Sequence, residues 1–193
     1  MKLVVGVDEA GRGPLAGPVA VGVVVCANDF DVLSTFPGLN DSKKLSEKKR
    51  EALFLLLQEE IRKGTVRAVV QLVSAEKIDE GGISPAIANA VATGIQKMLS
   101  DQVDAKVYLD GSLRAPEGYE QETIIGGDSS IPVIMLASIA AKVTRDRYMK
   151  VQAKEYPRYG FEKNKGYGTE AHLKALREHG LCAIHRRTFI HID

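Results

Sequence analysis

Tryptophan is absent from these 193 residues, cysteine occurs twice and histidine four times. Cys26 and Cys182 stand alone, with no CxxC spacing, which excludes a zinc ribbon and a disulfide framework. Both are read as reduced, buried small hydrophobes of a cytoplasmic protein. Long apolar runs are also missing. The longest, around 19–26 and 131–141, fall well short of the roughly 18 residues that a membrane span needs. Asp8 and Glu9 interrupt the first apolar run after Val7, which excludes a signal peptide. No Walker-type GxxxxGK, low-complexity tract or repeat at solenoid spacing is found. The length suits one packed core and is short for two, and no Pro/Ser/Gly-rich linker divides it.

What is present is unevenly charged. Residues 1–140 hold 14 Lys+Arg against 19 Asp+Glu, a balance of −5, while residues 141–193 hold 12 against 6, a balance of +6. An acidic body with a basic C-terminal quarter suits carboxylates that hold metal beside cations that hold a polyanion. The alternative is a solvated basic helix face.

Valine-rich segments at 2–7, 18–26 and 66–73 read as strands, and shorter ones at 106–110 and 122–125 follow. Ser46 caps a helix through Arg62, with Leu53, Leu56, Leu57 and Ile61 on one face. Ser84-Pro85 supplies a cap and first-turn proline for a helix to about Leu99. Pro132 opens a long helix that Tyr156-Pro157 closes, and Thr169 and Gly180 bound a last one. Strands followed by strand–helix alternation predict one α/β domain on a mixed sheet.

Chemistry concentrates at strand ends. VDEAGRG ends an apolar strand on Asp8 and Glu9, YLDGS ends another on Asp110, and IIGGDSS places Asp128 just past a third. Alternation along a strand sends Asp8 and Glu9 to opposite faces, so both reach one site only if the chain turns at Glu9. Four carboxylates gathered there repel and call for cations. Mg²⁺ or Mn²⁺ suits an all-oxygen set with no histidine or cysteine nearby. GRGPLAG is not a dinucleotide fingerprint, because its third glycine is one residue late and two acids precede it. His172 and His179, seven residues apart on a short helix, read as surface or cap residues and receive no role.

Six blocks in order resemble bacterial ribonuclease HII, the type 2 ribonuclease H: VDEAGRGPLAGPV, LNDSKKLS, YLDGS, GGDSSIPVIMLASIAAKVTRDRYM, YGFEKNKGYGTEAH and HGLCAIHRRTF. The resemblance covers essentially the whole chain. It implies a ribonuclease H-like mixed sheet flanked by helices, with a basic helical C-terminal part from about residue 141, in a single catalytic domain over 1–193. It implies that Asp8, Glu9, Asp110 and Asp128 bind two divalent ions and are catalytic. Gly11, Arg12 and Gly13 would read the ribose 2′-OH largely through backbone atoms, and Tyr167 would pack on the sugar beside the cut. Lys43, Lys142 and Arg145 would lie near the substrate backbone. The implied substrates are RNA/DNA hybrids and DNA duplexes with embedded ribonucleotides, cut 5′ of a ribonucleotide to leave 3′-hydroxyl and 5′-phosphate ends. The expected protein is monomeric and has no membrane partner. Asn164 departs from the histidine of many relatives. The competing reading is a non-catalytic nucleic-acid-binding module on the same fold, which loss of an acid would favour; none is lost.

Overall fold

The computed structural model describes residues 2–99 and 104–191. β1 (Leu3–Ala10) and β2 (Val19–Ala27) pair antiparallel across the Gly/Pro-rich segment. After the short α1 (Val32–Thr35) comes α2 (Glu47–Lys63). The Ser46 hydroxyl caps α2 by accepting from the Lys49 N–H, and Gly64 stops it in the left-handed region. β3 (Val66–Val73), α3 (Ala75–Gly81), α4 (Ile83–Met98), β4 (Ala105–Asp110) and β5 (Glu120–Ile124) follow. α5 (Pro132–Glu155) carries proline at its start and ends at Tyr156, ahead of Pro157. α6 (Phe161–Asn164) and α7 (Glu170–His179) form the helical C-terminal part, with Thr169 and Gly180 capping α7.

The sheet order is β3-β2-β1-β4-β5, antiparallel on the β2 side of β1 and parallel on the β4 side. Alternation sorts the strand residues into two cores. Val5, Val7, Val21, Val23, Val107 and Leu109 pack towards α3 and α4. Val24, Cys26, Val4 and Tyr108 pack on the other face, with α2 and α5. α5 lies directly on the backbone of β1 and β2: a Cβ on Gly6 would sit 2.2 Å from the Val133 carbonyl oxygen, and one on Gly22 2.3 Å from that of Ala137. Glycine is required at both positions for this approach. A helix enclosed on most sides reads as small and apolar residues all round, which is the composition of the first part of α5, residues 132–141. Its 24 residues span about 36 Å at 1.5 Å per residue, so it links the sheet to a third core around Met149, Tyr159, Phe161 and Leu176.

Several sequence expectations shift. β1 does not turn at Glu9 but stays paired through Ala10, opposite Ala20. Ser84 is inside α4 rather than its cap, because Gly82 at φ +82° breaks the helical stretch and Ser74 caps the separate α3 ahead of it. On α2 the buried stripe is Leu53, Leu57 and Glu60, and Leu56 and Ile61 face outward. Cys26 is buried but Cys182 only half-buried, and both are free thiols. Among the described residues no helix is long and apolar enough to cross a membrane.

Candidate active site

Register decides which acids meet. Gly6 pairs with Tyr108 across the parallel β1–β4 ladder, so Asp8 and Asp110, two residues further on, emerge side by side on the α5 face. A 3₁₀ turn at Gly127–Ser129 brings Asp128 to them, its N–H donating to Asp110 Oδ1 at 3.2 Å. Glu9 leaves from the opposite face at the strand's end, 3.5 Å from the Arg12 guanidinium. The acids thus surround the C-terminal edge of the sheet rather than gathering through a turn at Glu9. Asp8, Glu9, Asp110, Lys43, the Gly11–Gly13 loop and Tyr167 line one cleft of about 240 Å³.

Glu9 and Asp128 each have a cation beside them. Burial pushes the Asp8 carboxyl up to about 7; the Ser138 hydroxyl opposes this, while the Asp110 and Glu9 charges add to it. Burial also raises Glu9, against the pull of Arg12. Lys43 reaches Asp128 at 2.8 Å, and that bond raises the lysine. Among the described residues no three Asp, Glu, His or Cys side chains form a ready metal cage. The donor set still suits a hard divalent cation: it is all oxygen, it opens on a cleft, and the Asp8 charge is costly without a cation beside it.

α5 supplies the floor. Ser138, Lys142 and Arg145 recur at helical spacing on one side of it, four and three residues apart. Ser138 bonds Ser42 at 2.8 Å between buried hydroxyls, and Lys142 lines the cleft while pairing with Asp146 at 2.9 Å. Ser42 and Ser138 were missed from the sequence, although the second could be read from its spacing to Lys142. Arg145 is a correction: it is 0% exposed, so it faces no substrate backbone. Its guanidinium donates to the carbonyls of Pro18 (2.8 Å) and Ala16 (3.1 Å) and lies under Gly11. A Cβ on Gly11 would fall 1.9 Å from Arg145 Nε, and Gly11 adopts φ +87°, so only glycine closes over this arginine.

A second buried arginine was also missed. Arg186 donates to the carbonyls of Gly11 (2.7 Å), Arg12 (2.8 Å) and Gly17 (2.9 Å). Burial, then the nearby Arg145, lowers it to about 10, still charged at neutral pH. Its signal was the HRRTF block, whose partners lie some 170 residues upstream.

Tyr167 is 45% exposed at the cleft, its ring 5.9 Å from the Arg145 guanidinium carbon. Asn164 sets the loop before it: Oδ1 accepts from the Gly166 N–H at 2.8 Å and Nδ2 donates to the Tyr159 carbonyl at 2.7 Å. The Tyr167 carbonyl sits 2.9 Å from His172 Nδ1. His172 is fully buried, not a surface or cap residue, because its side of α7 faces Tyr159 and Phe161. His179 is exposed.

The chain is similar to known proteins over nearly its whole length. The family model described as Ribonuclease HII matches residues 5–192. A ribonuclease HII of Endomicrobium trichonymphae is 50% identical over 96% of this chain and 84% of its own length. That of Bacillus subtilis is 45% identical over 97% of this chain and 69% of its own length. The ribonuclease HII of Archaeoglobus fulgidus, solved in complex with PCNA, superposes with a TM-score of 0.78 at 27% identity, covering 99% of this chain and 96% of that one. The ribonuclease H2 of Pyrococcus horikoshii gives 0.76 at 28%, covering 96% and 93%. With a family model running through nearly all of it and relatives at close to half identity, this chain belongs to the ribonuclease HII family and is an endonuclease of the ribonuclease H type.

Proposed function

We propose that the chain acts as one catalytic domain that hydrolyses the RNA strand of RNA/DNA hybrids and cuts 5′ of ribonucleotides embedded in duplex DNA. The observation that carries this reading is a single cleft holding strand-end carboxylates beside a backbone-lined loop and an exposed tyrosine. Asp8, Asp110 and Asp128 from the α5 face, with Glu9 from the other, would hold two Mg²⁺ or Mn²⁺ ions. Bound there, such ions supply an activated water and charge neutralisation at the scissile phosphate. The chain's own residues do the rest. The 2′-OH is the group that distinguishes RNA from DNA at a given site. Backbone atoms of Gly11–Gly13, bonded by Arg186 and packed over Arg145, suit its recognition because they cannot swing away. Tyr167 packs its ring on the adjacent sugar. Lys43 and Lys142 at the cleft meet phosphates, which position a duplex without reading it.

The test is incubation of a duplex carrying one ribonucleotide with and without Mg²⁺ or Mn²⁺, followed by mapping of the ends. Metal-dependent cutting on the 5′ side with 3′-hydroxyl and 5′-phosphate ends is expected, and an all-DNA duplex stays intact. Cutting on the 3′ side, or without metal, refutes the reading.

Substitutions at two residues divide recognition from grip. Tyr167→Ala should slow cleavage by up to about a hundredfold, since a displacement of about 1 Å costs that much, with metal binding by calorimetry unchanged. Tyr167→Phe retains the ring and should cut within a fewfold of wild type; equal loss in both would assign the role to the hydroxyl. Lys43→Met should weaken all duplexes alike and lower the slope of affinity against salt by about one. A loss confined to ribonucleotide-containing duplexes in filter binding would reassign Lys43 to sugar reading.

A further inference from the structure

The C-terminal segment reaches both elements of the proposed ribose site from behind. It runs beside the Leu15–Gly17 stretch, with Ala16 bridged to His185. The Arg186 N–H donates to the Leu15 carbonyl, and the Gly17 N–H to that of Ile184, both at 2.8 Å. Adjacent side chains on an extended segment point opposite ways. Arg186 therefore turns to the Gly11–Gly13 loop, and His185 turns to His172, Nε2 to Nε2 at 3.0 Å. Both imidazoles are buried, walled by the rings of Tyr159 and Phe161.

Partners with a single role assign their protons. Two groups of Cys182 face His185 Nδ1, the N–H at 2.8 Å and the carbonyl at 3.4 Å; the nearer one donates, which leaves that nitrogen bare and puts the His185 proton on Nε2. The Tyr167 carbonyl only accepts, so His172 carries its proton on Nδ1, 2.9 Å away, and leaves its own Nε2 bare. One proton then lies between the two Nε2 atoms, donated by His185. The chain runs from Cys182 N–H through His185 and His172 to the Tyr167 carbonyl, and each ring nitrogen has one partner within 3.0 Å. A second proton would set two N–H groups head to head. Burial, then the neighbouring His172, accordingly holds His185 down at about 4.

We infer that His185 and His172 form a positioning relay that fixes Tyr167 relative to Gly11–Gly13 and so sets the geometry in which a ribose is accepted. This rests on the proposed roles of Tyr167 and the glycine loop. Neither histidine touches substrate; both act through the tyrosine backbone. Two neighbouring residues, His185 and Arg186, thereby tie the two ribose-reading elements to one stretch of chain.

The relay is tested first in the wild-type protein. Nitrogen-15 spectra of the histidines at pH 7.5 should show His172 as the Nδ1–H tautomer and His185 as the Nε2–H tautomer, both neutral. The reverse tautomers, or an imidazolium at either position, would overturn it. His172→Leu should lower kcat on a single-ribonucleotide duplex about tenfold to a hundredfold, with KM and all-DNA binding within about twofold. His172→Asn, whose amide can still donate to the Tyr167 carbonyl, should recover most of that loss. If both variants only melt earlier, while the folded enzyme keeps its kcat, the histidines are packing residues and the relay is wrong. Failure of the wild type to cut the duplex would instead refute the ribose reading, and the tautomers would still decide the relay.

Discussion

Asp8→Asn should reduce cleavage of a single-ribonucleotide duplex by at least about a thousandfold while making the protein more stable. The loss follows from removing the central charge of the proposed metal site. Metal ions supply several kcal/mol of transition-state stabilisation, and about 4 kcal/mol corresponds to a thousandfold. The gain in stability follows from pKa linkage. In the folded protein Asp8 holds its proton up to about 7, well above its ordinary 3.8. Between these values the folded state binds more protons than the unfolded one, so ionising Asp8 subtracts stability as pH rises from about 4 to 7. Asparagine neither titrates nor repels Asp110 and Glu9, and its Oδ1 can keep the 2.7 Å bond from the Glu9 N–H. Urea unfolding at pH 5 and pH 8 should therefore show the variant ahead of wild type mainly at pH 8. A variant less stable at pH 8 would show that Asp8 is structurally required, and near-wild-type cutting under saturating Mg²⁺ would remove it from the site.

Arg186→Met should cost about 2–4 kcal/mol of stability and most of the activity. Two opposing effects set the magnitude. Methionine leaves the Gly11, Arg12 and Gly17 carbonyls without their buried donor, at about 1–3 kcal/mol each. Against this, a guanidinium whose burial the nearby Asp79 only partly offsets is itself costly, and its removal returns part of that cost. The carbonyls win because there are three of them and water cannot reach them all. At about 2–4 °C per kcal/mol for a domain of this size, thermal unfolding should drop by about 5–15 °C. Arg186→Lys offers one ammonium in place of a fork and should fall between the two. A methionine variant that melts with the wild type and cuts at its rate would mean that the loop holds itself.

The acids illustrate what was legible. Asp8, Asp110 and Asp128 could be found because each ends an apolar segment within three residues of a glycine, a pattern local to a few residues. Their grouping could not, since it depends on the β1–β4 register and on a turn after β5. Glu9 shows the limit from the other side: alternation correctly set it opposite Asp8, but a turn was invoked to reunite them. The strand instead continues to Ala10, and the two acids enclose the sheet edge from both faces.

Basic residues were less legible than acidic ones. Lys43 and Lys142 lie at the cleft as expected, but Arg145 is beneath the loop, and Arg186 and the His172–His185 pair were not noticed. A charged side chain in a helix such as α5 reads as exposed until its acceptors are known. Those of Arg145 are carbonyls 127 and 129 residues away.

By itself the sequence determined the main strands and helices, most of their caps, the strand-end carboxylates and the family, because each is written in short-range periodicity or in contiguous motifs. Tertiary structure alone decided which acids share a face, which arginines are buried and which histidines face one another. Those outcomes depend on strand register and on backbone carbonyls, which have no side-chain identity and leave no mark in the sequence at the positions that use them.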